Sequence, residues 1–144
     1  MLMNPSAIKE VVIDGHSLTI ETFIAVARYG AKVILAPEAL EAMKVSRALA
    51  EKIAAEKRVA YGITTGFGDF QNVAVPEEMS NQLSTNLILS HCTAHGDPYS
   101  EEVVRGMLLL RANALCGGVS GVRPLIVEMF IDMLNKNVVP VVPQ

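Results

Sequence analysis

Apolar residues recur at helical spacing through most of this chain, and glycine or proline marks where each helical stretch begins or ends. Between Ile20 and Tyr29 the apolar positions fall three and four residues apart, and Gly30 follows as a helix-ending glycine. Residues 37–58 repeat the pattern behind Pro37, a residue favoured in the first turn of a helix. The first half of the chain therefore predicts two helices, and the second of them is amphipathic.

The second half of the chain predicts three further helices. One begins after Pro76, the next begins behind Ser100 and stops at Gly117-Gly118, and the last begins at Ser120–Pro124 and ends near Asn135. On the first of these three helices, one shared face carries Met79, Leu83, Leu87 and Ser90.

The fold class predicted by this pattern is mainly α. Val11–Ile13 is a short apolar run before a turn at Asp14-Gly15, and no strand pair is predicted, so we expect a helical bundle or part of one. We expect residues 1–144 to form a single N-terminal helical domain. The last residues, Val138–Gln144, are apolar and broken by prolines, and a segment of this kind needs a surface to pack against. The chain is therefore expected to be a piece of a longer protein, or to bury this segment in a partner.

Composition narrows the possible functions. Hydrophobic residues make up 51% of the 144 positions and the formal net charge is −3, which predicts a folded domain without the basic surface that nucleic acid requires. No apolar run is long enough to cross a bilayer, and the N-terminus lacks the pattern of a secretory leader. The expected compartment is the cytoplasm, with neither nucleic acid nor membrane as partner.

The cysteines and histidines do not predict a metal site. Cys92 and Cys116 are too sparse for a disulfide framework, and we expect both to be small buried residues. His91 and His95 lie four residues apart, but no Glu follows His91 as in the H-E-x-x-H pattern. We therefore expect no metal cofactor.

The segment Tyr61–Gly68 is unusual because three glycines, two threonines and a phenol lie between two predicted helices. It lacks the G-x-G-x-x-G order and the lysine of phosphate-binding loops, so a nucleotide site is excluded. Two interpretations remain open from the residues alone. The segment is a plain connector with a packing tyrosine, or its glycines place Tyr61 where no regular element would.

This loop, the segment Asn86–His91 and the run Val103–Leu115 together resemble the histidine and phenylalanine ammonia-lyase family. The resemblance continues in the same order through Ser120–Pro124 and covers nearly the whole chain. The pair Ser90-His91 resembles the version found in histidine ammonia-lyases. Departures from the family pattern occur at Ser84, Ala94 and Phe70-Gln71, and these bear on the substrate more than on the family.

The resemblance implies an enzyme that eliminates ammonia from an aromatic amino acid, most simply L-histidine to urocanate. It implies a 4-methylidene-imidazol-5-one prosthetic group made from an internal Ala-Ser-Gly, and a homotetramer. In that picture Tyr61 removes the β-proton of the substrate. His91 faces the substrate side chain, with Ser90 beside it, and Gly68 lines the pocket with backbone only.

The tripeptide Ala-Ser-Gly does not occur in these 144 residues. The chain is accordingly expected to be the N-terminal portion of such an enzyme, and to be inactive by itself. Two alternatives stay open. One is an aminomutase of the same family, and the other is a non-catalytic helical self-association module from a split gene.

Overall fold

The structure is a computed structural model that describes residues 3–70, 73 and 75–144, so Gln71 of the Phe70-Gln71 pair lies outside the described residues. The helices are α1 Ile20–Ala27, α2 Pro37–Ala55, α3 Glu77–His91, α4 Glu101–Cys116 and α5 Pro124–Asn135. The strands are β1 Glu10–Ile13 and β2 Lys32–Leu35, and short 3-10 turns occupy Pro5–Ala7 and Gly68–Phe70. The mainly helical class predicted from the sequence is confirmed.

The helix boundaries follow the residues that predicted them. Thr19 caps α1, since its side chain accepts a hydrogen bond from the Thr22 N–H while the Thr22 hydroxyl accepts from the Thr19 N–H. Pro37 begins α2, and α4 ends at Cys116, directly before the two glycines. Helix α2 ends at Ala55, three residues before the end predicted from the sequence. A turn around Lys57, which has a positive φ, follows the helix.

The expectation that no strands pair is wrong. β1 and β2 form a two-stranded parallel sheet with Glu10 opposite Lys32 and Ile13 opposite Leu35, and α1 makes the crossover between them. Each strand has four residues, too few to establish a period of two against the helical signal on either side. Val11, Ile13 and Val33 bury their side chains in the core, and this burial stabilises so small a sheet.

A side chain occupies the outer edge of β2. The Val33 N–H donates to Asn135 Oδ1 at 2.8 Å, and Asn135 Nδ2 donates to the Val33 carbonyl at 2.9 Å. The amide at the end of α5 therefore makes the same pair of bonds that a neighbouring strand would make at Val33.

The chain divides into two compact units. The first unit comprises Met1–Arg47 with Gly96–Gln144, and the second comprises Ala48–His95. The largest fully buried side chains all belong to the first unit: Ile13, Val26, Val33, Met43, Val104, Leu109, Cys116 and Val127. The single N-terminal domain expected for residues 1–144 stays a prediction.

Arg105 is a buried cation in the first unit, with 7% of its surface exposed. Its guanidinium donates to the Val26 carbonyl at 3.0 Å, to the Leu134 carbonyl at 3.1 Å and to Asn137 Oδ1 at 2.9 Å. Burial lowers the pKa of Arg105 from its ordinary value. The carbonyls belong to the last turns of α1 and α5, where a helix dipole favours positive charge.

The two cysteines differ in their surroundings. Cys116 is buried, and that burial raises the pKa of its thiol to about 11. Cys92 is exposed, so the prediction that both are buried is wrong for Cys92. Cys92 follows the last residue of α3, and no buried side chain is found among the described side chains of that helix.

The C-terminal segment pairs with its own unit. The Tyr99 N–H donates to the Val142 carbonyl at 2.9 Å, and the Gln144 N–H donates to the Asp97 carbonyl at 3.0 Å. No helix in the described part of the chain combines the length and the apolar character needed to span a bilayer.

Candidate active site

Tyr61 lies on a tight turn in the second unit. The Ala60 carbonyl accepts hydrogen bonds from the N–H groups of Ile63 at 3.1 Å and Thr64 at 3.0 Å, which folds the chain back directly after the tyrosine. Gly62 takes a φ of 73°, a conformation that residues with a Cβ rarely adopt. The glycine therefore allows the turn that presents Tyr61.

The Tyr61 side chain is 64% exposed, and its aromatic neighbour is Phe67. The two rings meet edge to face, with centroids 6.1 Å apart and planes at 73°. The Tyr61 hydroxyl makes no hydrogen bond to the residues that the structure describes. The phenol is thus presented to solvent, where a ligand could reach it.

The rest of the loop is held by pairing between its two arms. The Gly66 N–H donates to the Val73 carbonyl at 3.1 Å, and the Val75 N–H donates to the Thr64 carbonyl at 3.0 Å. Gly68 begins the short 3-10 turn with a φ of 58°, and a Cβ built there would meet nothing within 4 Å. A side chain at position 68 would therefore be strained by backbone conformation rather than by crowding.

Ser90 and His91 form a hydrogen-bonded group at the end of α3. The Leu87 carbonyl accepts from Ser90 Oγ at 2.9 Å and lies 2.8 Å from His91 Nδ1, while Ser90 Oγ and His91 Nδ1 are 3.0 Å apart. A carbonyl can only accept, so the hydrogen bond from His91 requires the proton on Nδ1. In the neutral ring this leaves Nε2 as an acceptor.

A cavity of about 390 Å³ lies between the glycine loop and α3, within the second unit. Its lining residues are Gly66, Phe67, Val73, Val75, Leu83, Asn86, Leu87 and Ser90. Leu83, Leu87 and Ser90, which were predicted to share one face of this helix, form one wall, whereas Met79 of the same predicted face is 55% exposed. The predicted site residues Tyr61, Gly68 and His91 are outside this set.

Two residues of this region were not predicted from the sequence. Asn86 lines the cavity and accepts a hydrogen bond from Gln82 Nε2 at 2.8 Å, and Thr64 bonds to the backbone around Tyr61. Asn86 lies within the segment Asn86–His91 that carries the family resemblance, so a signal for it was present. Thr64 gave no signal, since its partners depend on the path of the loop.

His95 does not share a helical face with His91, because α3 ends at His91. The described residues contain no group of three His, Cys, Asp or Glu side chains that could hold a metal ion.

The sequence profile described as "Aromatic amino acid lyase" matches residues 18–144. The chain belongs to the aromatic amino acid lyase family. Within this family the chain is 52% identical over 136 residues to a histidine ammonia-lyase of Caldanaerobacter subterraneus subsp. tengcongensis, covering 94% of this chain and 27% of that one. The family resemblance inferred from the sequence is therefore confirmed.

Solved structures of lyases and aminomutases share the fold. A histidine ammonia-lyase from Trypanosoma cruzi superposes with a TM-score of 0.83 at 36% identity, covering 93% of this chain and 26% of that one. A tyrosine aminomutase from Streptomyces globisporus superposes with a TM-score of 0.87 at 34% identity, covering 93% and 26%. The chain spans about a quarter of the length of these family members.

Proposed function

We propose that this chain forms the N-terminal part of an ammonia-lyase that converts L-histidine to urocanate and ammonia. The observation that supports it most strongly is the identity of 49% and 52% to two histidine ammonia-lyases over 136 residues. A match of that length within 144 residues includes the region of Tyr61, Ser90 and His91. Tyr61 is the proposed base, and His91 is the proposed contact to the substrate ring.

Tyr61 suits proton removal because its phenol is exposed and its backbone is held. A free phenol has a pKa of about 10, so the anion that accepts a proton needs stabilisation by donors or positive charge. No such donor to the Tyr61 hydroxyl lies among the described residues. We propose that the remainder of the protein supplies it.

The family resemblance implies 4-methylidene-imidazol-5-one as prosthetic group, an electrophile that captures the substrate amine and makes ammonia a better leaving group. The residues of the second unit fit a place beside this group. They offer an exposed phenol, a hydroxyl and an imidazole, groups that transfer protons or form hydrogen bonds. The electrophile itself has to come from elsewhere in this proposal, because no Ala-Ser-Gly occurs in these 144 residues. In this proposal Tyr61 takes the proton, and His91 and Ser90 orient the substrate.

The hydrogen bonds of His91 favour an imidazole substrate. With the proton on Nδ1, the Nε2 atom accepts, and it matches the N–H of a histidine side chain. A phenylalanine ring has no such donor, so it would leave the Nε2 acceptor without a partner in the bound complex. A tyrosine hydroxyl can donate in the same way, so tyrosine is the competing substrate. In this proposal Gly68, the last residue of the loop, lines the substrate pocket with backbone only.

An aminomutase is the second candidate, and the superposition on tyrosine aminomutase supports it. The two functions differ in their product, because a mutase returns the amine to the β-carbon. A non-catalytic helical module would give neither product. In all three cases we propose a homo-oligomer, a tetramer in the full-length enzyme.

The test is a product assay on the full-length protein with L-histidine, L-tyrosine and L-phenylalanine. We expect urocanate from histidine, read by its ultraviolet absorbance, and no β-amino acid by chromatography. Tyr61→Phe should lower kcat by about 100-fold or more, the scale of general base catalysis. Tyr29→Phe is the matched control, since Tyr29 is also exposed and lies in the first unit. Retained turnover in Tyr61→Phe removes Tyr61 from the mechanism.

A further inference from the structure

We propose that Thr64 is a positioning residue for Tyr61, through a hydroxyl that closes the turn on which the tyrosine lies. The inference rests on the proposed function, in which Tyr61 takes the proton. Thr64 would touch neither substrate nor prosthetic group. Its effect on turnover would come through the backbone that carries the phenol.

The Thr64 side chain bonds to the backbone on the N-terminal side of Tyr61. The Ala60 N–H donates to Thr64 Oγ1 at 2.9 Å, and the Thr64 hydroxyl donates to the Arg58 carbonyl. The backbone of Thr64 adds two further bonds, since its N–H donates to Ala60 and its carbonyl accepts from Val75. Thr64 thus links residues 58–60, which precede Tyr61, to Val75 at the far end of the loop.

Local backbone preference does not fix this turn. Gly62 follows Tyr61 and is the residue type with the widest conformational freedom. Residues 58–60 belong to no helix or strand. The direction of Tyr61 therefore depends on contacts made from elsewhere in the loop.

Packing alone leaves the Tyr61 side chain free to move. The Tyr61 residue is 64% exposed, and among the described residues its ring makes one aromatic contact, edge to face with Phe67. Phe67 itself is 38% exposed. Within the described residues, the main restraint on the position of Tyr61 is therefore the set of hydrogen bonds to the backbone that flanks it, and Thr64 makes most of these bonds.

Displacement of a reacting group by about 1 Å can lower a rate by about 100-fold. Loss of the Thr64 hydroxyl should accordingly lower kcat more than it changes KM. The effect should depend on the hydroxyl and not on the volume of the side chain. Valine keeps the volume of threonine but lacks the hydroxyl, whereas serine keeps the hydroxyl but has a smaller side chain.

The experiment compares Thr64→Val and Thr64→Ser in the full-length enzyme with L-histidine as substrate. We expect Thr64→Val to lower kcat about 10- to 100-fold with KM changed less than about threefold, whereas Thr64→Ser keeps most of the activity. Thr85→Val is the matched control, because its hydroxyl bonds only within α3, to the Asn81 carbonyl at 3.0 Å. If Thr64→Val does not fold, Thr64→Ala takes its place.

A second readout does not depend on catalysis. The carbonyl that accepts from the Thr64 hydroxyl belongs to Arg58, and trypsin cleaves the peptide bond after an accessible arginine or lysine. We expect trypsin to cut after Arg58 several times faster in Thr64→Val than in wild type, Thr64→Ser or Thr85→Val, as measured by mass spectrometry.

The two readouts separate failure of this inference from failure of the proposed function. If Tyr61→Phe stays active, the proposed role of Tyr61 as the base fails. In that case, faster cleavage after Arg58 in Thr64→Val still supports the inference that the Thr64 hydroxyl stabilises the turn. If Tyr61→Phe is inactive, normal kcat in Thr64→Val overturns the inference. An unchanged cut after Arg58, or a serine variant as impaired as valine, also overturns it.

Discussion

Arg105 shows how a single buried cation can join separate helix ends. Its bonds to the carbonyls of Val26 and Leu134 reach the last turns of α1 and α5 from a position inside α4. Within the described residues no carboxylate lies within ion-pair distance of it, so carbonyl and amide oxygens satisfy the charge. The planar, forked guanidinium suits this arrangement, because its N–H groups are spread over three nitrogen atoms, whereas the three N–H groups of an ammonium all start from one atom.

We expect Arg105→Lys to lower the free energy of unfolding by about 2 kcal/mol, because lysine keeps the charge but leaves buried acceptors unpaired. Arg111→Lys, on an exposed position of the same helix, is the control and should change stability by less than about 0.5 kcal/mol. Denaturant unfolding measures both. Equal stability of the two variants would contradict this account of Arg105.

The site could be predicted in part at this scale. Ser90 lines the cavity, but its role in binding substrate stays a prediction, as do the roles of Tyr61, His91 and Gly68. Thr64 could not be found, because a hydroxyl that bonds to a backbone four to six residues away is indistinguishable in sequence from any loop threonine. Side chain to backbone bonds of this kind depend on a loop path that no periodicity encodes.

Two helices end in the same way, with a residue other than glycine in the left-handed conformation. After α2, Lys57 has a φ of 52° and the Arg58 N–H donates to the Ile53 carbonyl at 3.1 Å. After α5, Asn137 has a φ of 53° and the Val138 N–H donates to the Met133 carbonyl at 2.8 Å. Both are Schellman ends, where glycine is the usual residue.

We expect Lys57→Gly to raise the free energy of unfolding by about 1 kcal/mol, because it relieves the left-handed strain at an exposed position. Asn137→Gly should instead lower it by about 1.5 kcal/mol, since Asn137 Oδ1 accepts a hydrogen bond from Arg105. Thermal or denaturant unfolding of the pair tests this. Stabilisation by both glycines would show that the bond to Arg105 contributes little.

At the scale of elements, helices were predictable and strands were not. Start and stop residues such as Pro37 and Gly117-Gly118 act locally, so they can be read without the fold. β1 and β2 pair across the intervening α1, and four residues each give too little pattern to predict partners. The signal that was missed is Val33-Ile34 between Gly30 and Pro37, a β-branched run with a breaker on each side.

The chain exposes a set of large apolar side chains along one stripe of α4. Val103, Met107 and Leu110 are 42%, 41% and 52% exposed, and they lie four and three residues apart. This spacing puts them on one helical face, opposite the buried Ala112. Such a face favours association in water.

We expect a polypeptide of these 144 residues to self-associate and to show no lyase activity. Exposed apolar faces drive the association, and the absence of Ala-Ser-Gly removes the proposed electrophile. Light scattering and a urocanate assay measure the two properties. Replacing Met107 and Leu110 with serine should reduce the association. A monomer at high concentration, or turnover of histidine, would contradict the expectation.

The amide of Asn135 has a consequence for aggregation. Small parallel sheets are open to the addition of strands from other molecules, which is how ordered fibres grow. By filling the backbone groups of Val33, Asn135 leaves an incoming strand no partner at the centre of that edge. One residue at the end of a helix thereby occupies the two backbone groups through which another strand would pair at Val33.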